Sequence, residues 1–181
     1  MVNEMKDSLR SRTRTTAMTR RGRVAWILIL IADAGYIAWG AMAALAPEHL
    51  AGPASKPILT AEYESFTGYS WSELAATSPK IIDFITILFR MYGTYCVIFG
   101  LLVIFITVTA FRRGERWAWW ALFVGNTIAY GSAINFDRVV NAIGMFEMSE
   151  YLGIAVIYVA LAITAPFFAR RTVNLQNAET I

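Results

Sequence analysis

The sequence predicts an all-α integral membrane protein, a four-helix bundle with both ends of the chain on one side of the bilayer. Three observations predict it. The apolar residues, 57% of the 181 against 16% charged, gather into four blocks: Val24 to Ala46, Ile81 to Phe111, Trp117 to Ile134 and Tyr151 to Ala169. Blocks of about 20 apolar residues are long enough to cross a hydrocarbon core as helices. None alternates apolar with polar residues as a barrel strand would, and lipid leaves the helix as the simple way to satisfy every backbone amide. Finally, twelve of the sixteen basic residues fall in three places: Lys6, Arg10, Arg12, Arg14, Arg20, Arg21 and Arg23 before the first block, Arg112, Arg113 and Arg116 in "RRGER", and Arg170 and Arg171. In a four-helix chain these segments share one side, which the positive-inside rule makes cytoplasmic. The expected location is the cell membrane, multi-pass, with both termini inside. The net charge of +3 thus reports topology and anionic lipid, not a nucleic-acid partner.

Residues 1–23 read as a basic, disordered cytoplasmic tail, 24–171 as the transmembrane domain and 172–181 as a second tail. Met18, just before "TRRGR", offers a second start, with 1–17 as a leader rich in Ser, Thr and Arg. The first block resembles a signal peptide at "ALA" (Ala44 to Ala46). However, it is too long for an h-region, Asp33 interrupts it, and Pro47 follows the cut, so an uncleaved helix is expected.

A large external loop runs from Pro47 to Ser78. Its first part, "APEHLAGPASKP", is rich in proline and should be irregular. Thr60 offers an N-cap and Gly68 a stop for a short helix. Ser70 and Glu73 have capping-box spacing for another, reaching about Thr77, with Trp71 and Leu74 on one face to cap the bundle or rest at the interface. Ser78 and Pro79 then start the second long helix. Its 33 residues to Phe111 would span about 50 Å, so its external turns project beyond the membrane. The short "RRGER" connection makes helices two and three antiparallel neighbours, and places Trp117, Trp119 and Trp120 at the inner interface. A short acidic loop, Asn135 to Glu150, leads to helix four, whose last turn Pro166 is expected to bend.

Helix two carries "RMYGTYCVIFGLL", after a first helix ending in "PE", and "FRRGERWAWWALF" follows it. This pattern resembles small bacterial membrane proteins of the DoxX-like group and allied uncharacterised families, over residues 24–170 by topology. The resemblance implies a four-helix fold and, since some members are linked to sulfur or redox metabolism as membrane partners of other enzymes, a partner role. It brings no catalytic residues to carry over.

The polar residues within the blocks are the candidates for function. At 1.5 Å per residue, Asp33 lies about 15 Å from the inner end of its helix, Asn126 about 14 Å and Tyr158 about 17 Å, with Gly100 at the same level. An ionised side chain at that depth costs about 2.5–3.5 kcal/mol, so Asp33 should face the bundle. Asp33 then either bonds Asn126 or Tyr158 as interhelical glue, worth about 0.6–2 kcal/mol, or helps to bind a polar head group such as a quinone's or relay a proton. A second layer, Arg90, Asp137, Arg138, Glu147 and Glu150, lies near the outer surface, where Arg90 is expected to pair with one of these acids. Gly93, Cys96 and Gly100, with Gly35 and Gly40, should let helices one and two approach closely.

Cys96 and His49 are the single cysteine and histidine, so no disulfide, CxxC pair, zinc site or haem site is expected from the usual ligands. With no nucleophile, metal set or nucleotide motif, the chain reads as an accessory or partner subunit of a larger membrane assembly, or a homo-oligomer, and not as an enzyme. The alternative is a lipid- or quinone-binding protein, possibly redox-linked, that uses the Asp33, Asn126 and Tyr158 layer, with that lipid or quinone its only expected cofactor.

Overall fold

A computed structural model describes residues 20–179, without the side chains of 21, 145–147, 167 and 169–179. The early basic residues and the Met18 start lie outside the described residues. Six α-helices make up the described fold: α1 (Arg20–Leu45), α2 (Ile58–Thr67), α3 (Trp71–Thr77), α4 (Pro79–Ile106), α5 (Arg116–Val140) and α6 (Met145–Glu179). Three segments, Gly22–Leu45, Pro79–Phe111 and Met148–Pro166, are long and apolar enough to cross a membrane.

The long helices run antiparallel in sequence order. Gly93 of α4 meets Ala44 of α1, while Gly100 meets Ile37. Trp119 at the start of α5 bonds the Leu161 carbonyl of α6, whereas Tyr130 lies against Gly153. One end of the bundle therefore holds the start of α1 and the α4–α5 turn, where the Arg112 guanidinium stacks 5.7 Å from the Trp26 ring. We call this the basic end. The other holds α2 and α3 and is the cap end.

The basic end is filled by a continuous core of Ala25, Ile29, Val103, Phe111, Leu122 and Leu161, with Phe168 tilted on Phe111 at 5.3 Å. Here α4 closes in a π-helical turn, Thr107–Phe111, whose wider ring is completed by Arg112 N–H donating to the Thr107 carbonyl at 3.0 Å. α1 is the hub, packing extensively against α4 and against α6, and α5 leans mainly on α6. Despite their short connection, α4 and α5 touch sparsely. A tight turn fixes two helices as neighbours at one end only, and their separation elsewhere is set by what lies between them.

The cap follows the sequence closely. α2 ends at Gly68, whose φ of 72° is the left-handed stop that glycine supplies without strain. It begins at Ile58, with Pro57 as N-cap, two residues before the expected Thr60. α3 starts after Ser70 as expected, but the Ser70 hydroxyl bonds Ser72 and makes no cap bond. Glu64 does that work, accepting from the Trp71 N–H at 3.1 Å and from Lys56 Nζ at 2.5 Å. Trp71 packs edge-on against Tyr63, and Ser65 bonds the Asn141 carbonyl at 2.9 Å, tying the cap to the end of α5. α6 passes through Pro166 and continues to Glu179, beyond the expected end near Ala169.

Candidate functional site

The predicted central layer is partly assembled. Asp33 and Asn126 are each 0% exposed, and the place where a Gly100 Cβ would stand is 3.6 Å from the Asp33 carbonyl oxygen, which puts Gly100 beside Asp33. Tyr158 departs from it. Its side is 36% exposed, its ring packs on Phe123 at 5.7 Å, and its hydroxyl shares a 2.8 Å bond with Thr127. Counting residues gives height along an axis but not direction around it. The buried face of α6 runs through Ile157, Ala160, Leu161 and Thr164, which turns Tyr158 aside.

The glue bond is not formed either. Asn126 donates to the Leu122 carbonyl of its own helix at 2.8 Å, and neither its Oδ1 nor either Asp33 carboxylate oxygen meets a hydrogen-bond partner among the described residues. A buried polar atom left so is costly.

The outer rim also divides. Arg90 is exposed and faces Glu48 of the loop at 3.9 Å, not Asp137 or Glu150 as expected. Arg138 is exposed as well, one residue and about 100° around α5 from Asp137. Glu147 has no described side chain. The two remaining acids, Asp137 and Glu150, turn inward together.

They turn toward a cavity of about 950 Å³ in the cap half of the bundle, at the upper end of the range for small-molecule sites. α1, α4, α5 and α6 form its walls, and Leu50, Ile58, Leu59 and Glu62 of the cap reach its outer end. It exists because α4 and α5 make so little contact while α2 is held over the opening. Leu28 and Ile31 of α1 form its inner wall, and Leu88, Leu152 and Val156 add further aliphatic surface. Neither Asp33 nor Asn126 lines it, although Leu28, Ile31 and Ala32 of α1, on the basic-end side of Asp33, do.

Its middle is aromatic. Tyr36 and Tyr130 meet at 5.4 Å and 45°, and Trp39 stands edge-on to Tyr92 at 5.7 Å and to Phe89 at 6.1 Å. Helical spacing explains the grouping: Tyr36 with Trp39, and Phe89 with Tyr92, are i, i+3 pairs that share a face. Tyr130 belongs to the stripe Asn126, Tyr130, Ala133, Asp137, all on the buried side of α5. Its ring fits because α6 has Gly153 there; a Cβ would stand 2.9 Å from the ring. Cys96, buried against Gly40 in the α1–α4 contact, is not part of the cavity lining.

Charge within an apolar block, the signal that marks Asp33, does not mark Tyr36, Trp39, Tyr92, Tyr130, Glu62 or Ser149. The aromatic i, i+3 pairs on two neighbouring helices were the available signal. Among the described residues no group of three His, Cys, Asp or Glu side chains is placed to hold a metal ion. No family model, curated protein or solved structure matches this chain.

Proposed function

We propose that this is a four-span membrane protein, with both termini cytoplasmic, that holds an amphiphile such as a lipid or quinone in the cap-end cavity. Three spans are apolar enough by composition. The fourth, α5, averages out as too polar because its Asn126, Tyr130 and Asp137 face inward, while Trp117, Trp120, Val124, Ile128, Phe136 and Val139 face out. A helix with its apolar face outward and its polar face in the bundle suits a lipid environment and no other. The basic end carries Arg20, Arg23, Arg112, Arg113 and Arg116, which makes it the cytoplasmic end by the positive-inside rule.

The observation that carries the binding function is the cavity itself: large, walled by aliphatic and aromatic side chains, with its acids, Glu62, Asp137 and Glu150, toward the cap end. That gradient matches an amphiphile standing upright in the outer leaflet, tail inward and head at the interface. Redox linkage and the Asp33 layer are secondary in this proposal, since neither Asp33 nor Asn126 lines the cavity.

The test uses Gly35, which lines the cavity and whose Cβ would meet nothing within 4 Å. Gly35→Trp should fill the space without moving a backbone. Lipids and quinones retained by wild type and Gly35→Trp in nanodiscs are compared by mass spectrometry. Loss of one retained species in the variant supports the proposal, and identical content refutes it.

The second reading is an accessory subunit, as the layout shared with DoxX-like proteins suggests. The observation that favours it is the length of α6, which runs eleven residues past Phe168, about 16 Å beyond the core of the basic end. Purification in mild detergent from native membranes tests it; a lone homo-oligomer would count against it.

A further inference from the structure

The cavity is shut at its outer end and open at its side. Over the outer end, Leu50 and Ile58 are buried with Ala43 in a small core that also takes in Trp39, Leu59 and Phe89. The backbone fastens this roof: Ile58 N–H donates to the Leu50 carbonyl at 2.9 Å, and Gly52 N–H to that of Lys56 at 2.7 Å. Ser65 then ties α2 to the end of α5. The side between α1 and α6 is different. Leu28, Ile31, Gly35, Ala38 and Met42 line the cavity from one stripe of α1, at spacings of three and four residues. Yet Ile31 is 65% exposed, and Leu152, in the lining from α6, is 66% exposed. A side chain both lines a cavity and faces the exterior only at its mouth.

The cleft has a cause in the packing. At the basic end, Ala25 and Ile29 of α1 share one core with Ile157, Ala160 and Leu161 of α6, which holds the two helices together. Toward the cap, α6 packs on α5 instead, where the Tyr130 ring fills the place that a side chain at Gly153 would take. On α1 the middle of the stripe is made of Gly35 and Ala38, between the larger Ile31 and Met42, and a Cβ at Gly35 would meet nothing within 4 Å. The far side, between α4 and α5, leaves Leu88 42% and Phe136 51% exposed, but its α4 wall is occupied by rings. Phe89 and Tyr92 stand 6.3 Å apart there, both edge-on to Trp39.

Depth decides what meets this opening. Counted from Arg23 along the helix, Leu28 lies about 8 Å and Met42 about 28 Å up, within a hydrocarbon core about 30 Å thick. The cleft therefore faces acyl chains, and the shut end is the one that faces water. We infer that the cavity is loaded and emptied sideways, through the cleft between α1 and α6, by a long-chain amphiphile that stays in the bilayer throughout, under a cap that remains closed. This rests on the proposal that the cavity holds an amphiphile, and names the phase that supplies it. The class of ligand follows: a membrane-dissolved lipid and not a water-borne molecule, since the apolar stripe of α1 runs from the cleft into the cavity without a polar side chain.

The experiment uses hexadecanol carrying a diazirine at the end of its chain, supplied to the full chain in phosphatidylcholine vesicles and activated by light. Mass spectrometry reads the label on Tyr130, buried in the cavity wall, against that on Leu101 and Phe105, which are exposed on α4 and outside the lining. Tyr130 should be labelled in wild type. Ala38→Trp should plug the cleft and abolish that label, with Leu101 and Phe105 labelled as before. Leu152→Trp, on the other lip, makes the same test if Ala38→Trp does not fold. Leu88→Trp, on the α4–α5 side, should leave Tyr130 labelled. For the cap, Ser65→Cys/Asn141→Cys is joined by a water-soluble bismaleimide before the probe is added; Cys96 is buried and stays out of the reaction. With the cap so locked, Tyr130 should be labelled as in wild type.

Label lost on locking the cap, lost in Leu88→Trp, or retained in the plugged variants overturns the sideways route and leaves the cavity proposal standing. Absence of label on Tyr130 in wild type overturns the route too. Together with unchanged lipid content in Gly35→Trp, it removes both.

Discussion

Gly40 and Gly35 stand five residues apart on α1 and do opposite things. A Cβ at Gly40 would meet Cys96 at 2.8 Å and the Gly93 carbonyl oxygen at 2.9 Å, whereas one at Gly35 would meet nothing. The first belongs to the α1–α4 seam, where Gly40 and Gly93 let two backbones touch and Gly100 admits Ile37. The second faces the cavity. The same residue type thus builds close contact on one side of a helix and open space on the other. The lesson is that a small residue in a membrane helix states only that something needs room, a neighbouring backbone or a guest.

Substitutions at these positions test the contrast, and the seam should be the less forgiving side. Gly93→Leu would put a side chain 2.5 Å from the Ala44 nitrogen and 2.8 Å from the Ala43 carbonyl carbon, atoms that cannot move aside. We expect destabilisation of at least about 3 kcal/mol, seen as a lowered unfolding midpoint in detergent or loss of monodisperse protein. A Gly93→Leu protein that unfolds like wild type would dissolve the distinction between seam and cavity.

Between the two regions lies Asp33, fully buried without a hydrogen-bond partner among the described residues. Replacing such a group by an apolar one removes its desolvation cost. Asp33→Leu should therefore stabilise the bundle by about 1–3 kcal/mol, while Asp33→Asn, still polar, should not. Neither should alter amphiphile binding, because Asp33 is outside the cavity lining. A less stable Asp33→Leu would mean that the carboxyl is held favourably after all and would revive the central layer as a site.

Gly35→Trp is the complement of Gly93→Leu: its stability should stay within about 0.5 kcal/mol of wild type while retained amphiphile falls at least about tenfold. Thermal unfolding and lipid analysis of the same preparation read both. Loss of stability at Gly35 would show that this face, too, is packed.

The smallest effect is expected in the cap, at Glu64. Its bonds from Lys56 and the Trp71 amide hold its carboxyl below the usual glutamate value of 4.5. A depressed value in the fold means that its contribution is present above the unfolded value and is lost as pH falls through the folded one. Protection of the α3 amides from hydrogen exchange should therefore hold at neutral pH and fade below about pH 4.5 in wild type. In Glu64→Gln that protection should already be lower at neutral pH, with no such fading. A wild type that loses no protection in acid would remove Glu64 as the support of α3.

Much of this molecule was legible from its residues. The apolar blocks located all four long helices, Gly68 and Pro79 marked a stop and a start, and Gly40, Gly93 and Gly100 announced the seam, each because one local property decides the matter. Asp33 and Asn126 were placed at one depth by helix rise alone. Tyr158 is turned from that layer because rise carries no azimuth, and Arg90 faces Glu48 because a long, exposed side chain reaches the acid that the loop after α1 presents. The aromatic box escaped notice since aromatic residues in apolar helices look like ordinary packing until two helices are placed side by side.

What the sequence by itself determined is the helical class, the long apolar helices and the end that gathers the arginines, since these follow from apolar patterning and from the positions of charges along one chain. What only the tertiary structure decided is where space is left. The sparse contact of α4 with α5, and the cap laid over the gap, gather Tyr36, Trp39, Tyr92, Tyr130, Glu62, Asp137 and Glu150 around one cavity. A cavity is a property of surfaces that fail to meet, and no single helix contains the information for it.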